Sequence, residues 1–281
     1  MLLAASVSLP GSASAAAPIN DNYLSSARLN ERGQRLNRTE TLKATPDTSQ
    51  ATTQADVFRP DGPGGGPAEP TTCGGSVIGK TVWYDFYPDL NGVVRLRANG
   101  FNSAIAVVPF DPVTSRPDFS RRICANESSS VTEEFLAKVR KNRAYTVQVG
   151  GVGGLGGPLE FLFDFIPSYP RLKADPTLLV RPNSSGVELV SLKVAASRGA
   201  RVSVSCTKRA CRKQSKKAGR RSVSFNSRLK GRNLRAGTTL VLRVTKKDSI
   251  GSYIAFKIRR GRFTKIERCL NPGSKKPRKC A

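Results

Sequence analysis

From Lys80 to Ile166 the chain is a succession of short strand-length runs, separated by turns and free of long helical periods. The candidate strands are residues 81–87, 92–98, 104–110, 132–138, 144–149 and 159–166. Asp89-Leu90-Asn91-Gly92, Lys141-Asn142-Arg143 and the glycine run at 150–157 punctuate them. The segment 131–139 is the one helical competitor, and its Phe135-Leu136 pair fits a strand as well. Such spacing constrains the chain to antiparallel sheets packed face to face.

Within the first of these runs, Gly74-x-x-x-x-Gly79-Lys80-Thr81 matches the phosphate-loop pattern. That loop needs a buried strand before it and a helix N-terminus after it, where amide donors and dipole meet the phosphate. Here Pro70-Thr71-Thr72-Cys73 precedes, and Val82, Tyr84 and Phe86 alternate with Trp83, Asp85 and Tyr87 behind it. The pattern is that of a strand, and no nucleotide partner is expected.

Charge divides the chain. Residues 1–170 hold 16 Lys and Arg against 16 Asp and Glu, whereas residues 171–281 hold 31 against 4, which accounts for the whole net charge of +27. Residues 167–175 read as a linker ending at Pro176, with strands following at 186–195, 200–206, 222–230, 238–245, 252–259 and 262–268. At the front, residues 1–17 combine an apolar run with Ala13-Ser14-Ala15, similar to a secretory signal without its basic start. No stretch has the roughly 20 apolar residues that a transmembrane helix needs. Residues 59–75 form a Pro/Gly-rich surface loop, and Ala51-Thr52-Thr53 is a weak strand candidate.

Several ordered landmarks make residues 18–166 resemble the bacterial pre-peptidase C-terminal (PPC) domain. They are Asn20-Asp21, the strand from Gly79 to Phe86, Gly92, Asn102-Ser103-Ala104-Ile105-Ala106-Val107, Cys124-Ala125-Asn126-Glu127 and Tyr145-Thr146-Val147-Gln148-Val149-Gly150. The resemblance implies a non-catalytic, jelly-roll-like β-sandwich of exported proteins, some of which bind calcium or matrix polymers. Where that family often carries paired aspartates, this chain has Asn126-Glu127-Ser128-Ser129, so no cofactor is expected. Residues 176–281 resemble the small basic β-module at the C-termini of secreted actinobacterial proteins. The features that carry this are Gly231-Arg232-x-Leu234-x-x-Gly237-Thr238, Ile250-Gly251 and Cys269-Leu270-x-Pro272-Gly273-Ser274 with Cys280. The expected architecture is therefore all-β: two β-sandwich domains in tandem, the first jelly-roll-like, the second a small disulfide-clamped Ig-like sandwich.

The six cysteines allow fifteen connectivities, of which neighbourhood and domain division favour Cys73–Cys124, Cys206–Cys211 and Cys269–Cys280. Zinc would want C-x₂-C pairs or histidines, and the chain has neither. The absence of histidine also removes Ser-His-Asp and Cys-His activation. Two-carboxylate hydrolysis with Asp85, Asp89, Asp111, Asp118 or Glu127 remains as an alternative, as does an adhesive role for the first sandwich. Basic runs carry the main expectation. Lys208, Arg209, Arg212, Lys213, Lys216, Lys217, Arg220 and Arg221 form one cluster, and Lys275, Lys276, Arg278 and Lys279 another. A third is Lys257, Arg259, Arg260 and Arg262. No aromatic interleaves the first run, and Phe225, Tyr253, Phe256 and Phe263 are expected in the core. The expected protein is secreted or surface-associated, non-catalytic, and holds a cell-envelope or extracellular polyanion through its rear half.

Overall fold

A computed structural model describes residues 16–30, 36, 41–53, 68–126, 131–220 and 222–280. Residues 1–15 of the expected leader and 59–67 of the expected loop lie outside the described residues. The chain is all-β and divides into two units between Ser168 and Tyr169.

The first unit comprises β1 (Ala27–Arg28), β2 (Thr41–Ala44), β3 (Thr72–Cys73), β4 (Ser76–Phe86), β5 (Gly92–Asn99), β6 (Ser103–Pro109), β7 (Ile123–Ala125), β8 (Thr132–Val139), β9 (Tyr145–Val152) and β10 (Glu160–Pro167). One sheet runs β1-β4-β9-β6-β7 with β3 beside β4, and the other runs β2-β10-β5-β8. Tyr84 stacks on Phe161 at 4.6 Å across the seam between them, and Phe86 meets Phe163 at 5.0 Å. Alternation predicts that Trp83, on the opposite face of β4, faces water. It is instead fully buried against Tyr23 and Phe119, because Asn20 clamps the strand there: its carbonyl accepts from Trp83 N at 2.9 Å and its amide donates to Trp83 O at 3.0 Å. Residues 51–53 form no strand; Thr52 is held by the Asp21 carboxylate at 2.6 and 2.8 Å. The glycine run, read as a loop, begins inside β9, where a Cβ on Gly151 would collide with the Leu155 carbonyl.

The second unit comprises β11 (Ala174–Asn183), β12 (Gly186–Ala196), β13 (Arg201–Cys206), β14 (Gln214–Lys217), β15 (Val223–Ser224), a short helix α1 (Asn226–Leu229), β16 (Asn233–Arg235), β17 (Thr239–Thr245), β18 (Gly251–Arg259), β19 (Arg262–Leu270) and β20 (Pro277–Arg278). Its sheets are β11-β12-β15, with β16 also on β12, and β14-β13-β17-β18-β19-β20. Leu189, Leu192 and Phe225 from the first sheet and its flank pack with Leu242, Ile254 and Phe256 from the second.

Two expectations are corrected here. The linker at 167–175 and the domain start at 176 do not hold: Pro167 ends β10, Leu172 is buried in the second core, and β11 starts at Ala174. Pro176 fits inside β11 because that strand is a sheet edge, where a missing N–H is tolerated. The strand at 222–230 gives way to β15 and α1. There the Asn226 side chain accepts from Leu192 N at 2.8 Å and Phe225 N donates to Leu192 O at 2.9 Å, so the edge of β12 is satisfied without a continuous partner.

The cysteines pair as Cys73–Cys124, Cys206–Cys211 and Cys269–Cys280. The last two close turns within one sheet, spanning 5 and 11 residues, and neither crosses the sandwich. Replacing both Cys206 and Cys211 by Ser is expected to lower stability by about 2 kcal/mol, read from guanidinium unfolding followed by far-ultraviolet dichroism. Phe163→Ala, which empties the centre of the first seam, is expected to cost about 3–5 kcal/mol in urea unfolding. Fluorescence of Trp83, the single tryptophan, reports that unit directly.

Candidate anion-binding surface

Two of the three expected clusters attach to the two edge strands of the larger sheet of the second unit, and the third lies on the β18–β19 hairpin. Lys208 and Arg209 sit in the turn after β13, both in left-handed backbone (φ 55° and 53°), inside the Cys206–Cys211 loop. Arg212 and Lys213 follow, exposed, and lead into β14, which carries Lys216 and Lys217; exposed Arg220 lies beyond it. Arg221 lies outside the described residues. Lys275 and Lys276 occupy the turn between β19 and β20, Arg278 lies on β20, and Lys279 follows, all exposed. β14 and β20 are first and last in a six-strand order, so five inter-strand steps, roughly 24 Å, separate these two strands.

Register sorts these residues further, since partners directly opposite in a ladder project to the same side. Lys216 is opposite Val202 and so belongs to the core side, where it donates to the Ser224 carbonyl at 2.7 Å and lies over the Phe225 ring. That side chain is engaged within the fold while remaining exposed. Lys217 is opposite Arg201 on the outer side. Continuing across the sheet, Ser203, Arg243, Tyr253 and Arg268 share one outward row. Lys257, Arg259 and Arg262 project from the same face.

Arg201, Arg243 and Arg268 lie outside any dense basic run, so their convergence was not legible from local composition. Strand alternation alone could have placed them opposite Val202, Leu242 and Glu267 in orientation. Tyr253, expected in the core, is half-buried on the outer face with the Arg243 guanidinium over its ring at 5.4 Å. None of the unit's acids shares this face. Asp175 is on β11, Glu188 is paired with Arg181 on the other sheet at 3.0 Å, and Asp248 is in the β17–β18 turn. Glu267 points to the opposite side of β19 from Arg268 and pairs with Lys265.

The first unit presents the contrary arrangement. On the outer face of its β2-β10-β5-β8 sheet, Arg97 meets Asp164 at 3.1 Å, Arg95 meets Glu134 at 3.8 Å and Lys43 pairs with Glu160. Its other sheet is overlaid by a buried polar network. Glu69, 3% exposed, accepts from Thr81 and from Gln148 at 3.1 Å, and Gln148 in turn accepts from Arg122 at 3.1 Å. Thr81, the last residue of the phosphate-loop pattern, is thus inside a strand and occupied, while Lys80 Nζ donates to the Ser49 carbonyl at 2.7 Å.

Two of the candidate carboxylates, Asp89 and Asp111, share a groove. Asp111 caps its own turn by accepting from Val113 N and Thr114 N at 2.8 and 2.9 Å, which holds its carboxyl below the ordinary range. Asp118 pairs with Arg121 at 3.2 Å. Asp89 and Asp111 line a groove of about 640 Å³ with Tyr87 and Arg143. Glu127, with the rest of 127–130, lies outside the described residues, as does the calcium comparison resting on Glu127-Ser128-Ser129. Among the described residues no group of three or more His, Cys, Asp or Glu is placed to hold a metal, and no helix is long and apolar enough to cross a membrane.

No family model and no curated protein matches the sequence. Among solved structures the chain is similar to a GH2 beta-galacturonidase from Eisenbergiella tayi, with 12% identity over 85% of this chain and 44% of that one and a TM-score of 0.22. It is also similar to a calcium binding mutant of Bacteroides uniformis beta-glucuronidase 2, with 12% identity over 82% and 32% and a TM-score of 0.18. The chain thus spans less than half of either protein, and TM-scores this low establish neither topology nor activity.

Asp85 shows what a buried carboxylate does to this fold. Burial raises its pKa, partly offset by hydrogen bonds from Ser26 and Thr146 and by Arg28. Between the ordinary and raised values the folded chain binds more protons than the unfolded one, so this residue's contribution to stability falls as pH rises. Asp85→Asn is expected to gain on the wild type from about pH 4 to about pH 7 in urea unfolding. Equal differences at the two pH values would contradict the assignment.

Proposed function

We propose that this is an extracellular, non-catalytic protein that holds an anionic polymer of the cell envelope or its surroundings through its second unit. The carrying observation is the uncompensated charge: 31 cations against 4 acids in residues 171–281, two of those acids already engaged with Arg181 and Lys265. Such a density destabilises a folded unit unless counterions or a polyanion offset it. The sandwich and the two turn-closing disulfides supply a rigid support on which Lys and Arg side chains stay displayed. Three disulfides favour an oxidising compartment. In this reading the first unit is a PPC-type companion sandwich whose balanced surface adds no polyanion affinity of its own.

The mechanism is multivalent contact with counterion release. For the full-length protein on heparin, affinity is expected to fall by about a thousandfold between about 50 and about 200 mM salt if six or more charges are neutralised. Passage through a heparin column without retention at low salt would remove the proposal.

A further inference from the structure

The proposed function leaves open which cations make the site. The dense run near β14 and the C-terminal run are exposed and separately tethered, and long flexible side chains lose rotamer freedom on binding. The outer face of the larger sheet is different. Arg243 is fixed on two sides: Tyr253 lies under its guanidinium at 5.4 Å, and its Nη1 donates to the Lys275 carbonyl at 3.1 Å. That carbonyl lies inside the Cys269–Cys280 loop, so the bridge holds the acceptor in place. The same bond brings the turn bearing Lys275 and Lys276 up to the sheet face. Arg201, exposed, reaches Ser215 Oγ at 3.5 Å, a long contact that fixes it less than Arg243.

Arg243 and Arg268 flank Tyr253 in one row across β17, β18 and β19, and Lys217 and Arg201, on β14 and β13, stand in the next row of the same face, two residues further along the strands. The patch covers four inter-strand steps, roughly 19 Å across the strands, and about 7 Å along them. A fixed guanidinium presents its remaining N–H fork to a carboxylate or sulfate with little further ordering. Tyr253 is the only ring among the outward positions of these strands, and Arg243 covers it, so no platform is left for bases to stack on. A broad sheet face also cannot enter a duplex groove, which admits a helix or a two-stranded ribbon.

Resting on the reading of the second unit as a polyanion binder, we infer that its primary site is this acid-free two-row patch centred on Arg243. Its ligand is a linear polysaccharide bearing carboxylate or sulfate groups. Tyr253 is a positioning residue that acts through Arg243. The Lys208–Arg209 turn adds long-range attraction rather than contact.

The test uses the full-length protein with three probes at one salt concentration: heparin, polygalacturonate and duplex DNA. Tyr253→Leu leaves the net charge unchanged, yet is expected to weaken binding to the acidic polysaccharides by about fivefold, while Tyr253→Phe retains it. Arg243→Lys, also charge-neutral, is expected to weaken binding by a similar factor and stands in if the leucine variant does not fold. Lys208→Ser with Arg209→Ser removes two charges at the far end of the sheet and is expected to cost less than either. The site assignment is overturned if the loop variant loses more than Tyr253→Leu and Arg243→Lys. Tighter binding of DNA than of both polysaccharides overturns the ligand class and leaves the site standing. A wild-type protein that binds none of the three defeats the underlying reading as well.

Discussion

The apolar seam between the two sheets of the second unit is the constraint on which its surface depends. Leu189, Leu192, Phe225, Leu242 and Phe256 are buried there, and their burial opposes the mutual repulsion of the cations outside. Because side chains alternate with period two, the register that buries Val202, Leu242 and Ile254 also turns Arg201, Arg243 and Tyr253 outward. A slip of one residue would exchange the two sets, so the core enforces the arrangement of the charges. The bridges at Cys206–Cys211 and Cys269–Cys280 act at the turns, where repulsion among Lys208, Arg209, Lys275 and Lys276 would otherwise favour opening.

The first unit solves the same architectural problem with opposite electrostatics. Its exposed sheet face is zipped by cross-strand pairs such as Arg97–Asp164, and partly exposed pairs of this kind contribute little stability but cancel the field. Its second face is covered by its own chain, through Asn20 on Trp83 and through Glu69 on Thr81 and Gln148. One β-sandwich is thus made neutral and the other strongly cationic without a change of fold class. The outward positions of the strands carry that difference.

Local signals in the sequence were reliable where one strand's own pattern set the answer. Strands such as β5 and β17 carry clear alternation and occur within a residue or two of where it places them. Signals failed where a distant segment intervened. Trp83 alternates outward but is roofed by Asn20 and Tyr23, more than fifty residues away in sequence. The stretch 222–230 has strand-like composition, yet Asn226 uses its side chain in place of a strand partner. Leu172 reads as part of a Pro-flanked linker because nothing nearby shows the core that buries it.

The sequence alone determined the all-β class, the break in charge between the two halves, and the pairing of cysteines by neighbourhood. Each of these follows from composition or from short-range spacing, which survive without coordinates. Only the tertiary structure decided which cations act together. Lys216 and Lys217 are adjacent in the chain but lie on opposite sides of a strand. Arg201, Arg243 and Arg268, far apart in the chain, share one face because ladder register turns all three to the same side of the sheet. The physical reason is that a strand's alternation assigns each residue a side, while only pairing with other strands says which residues it shares that side with.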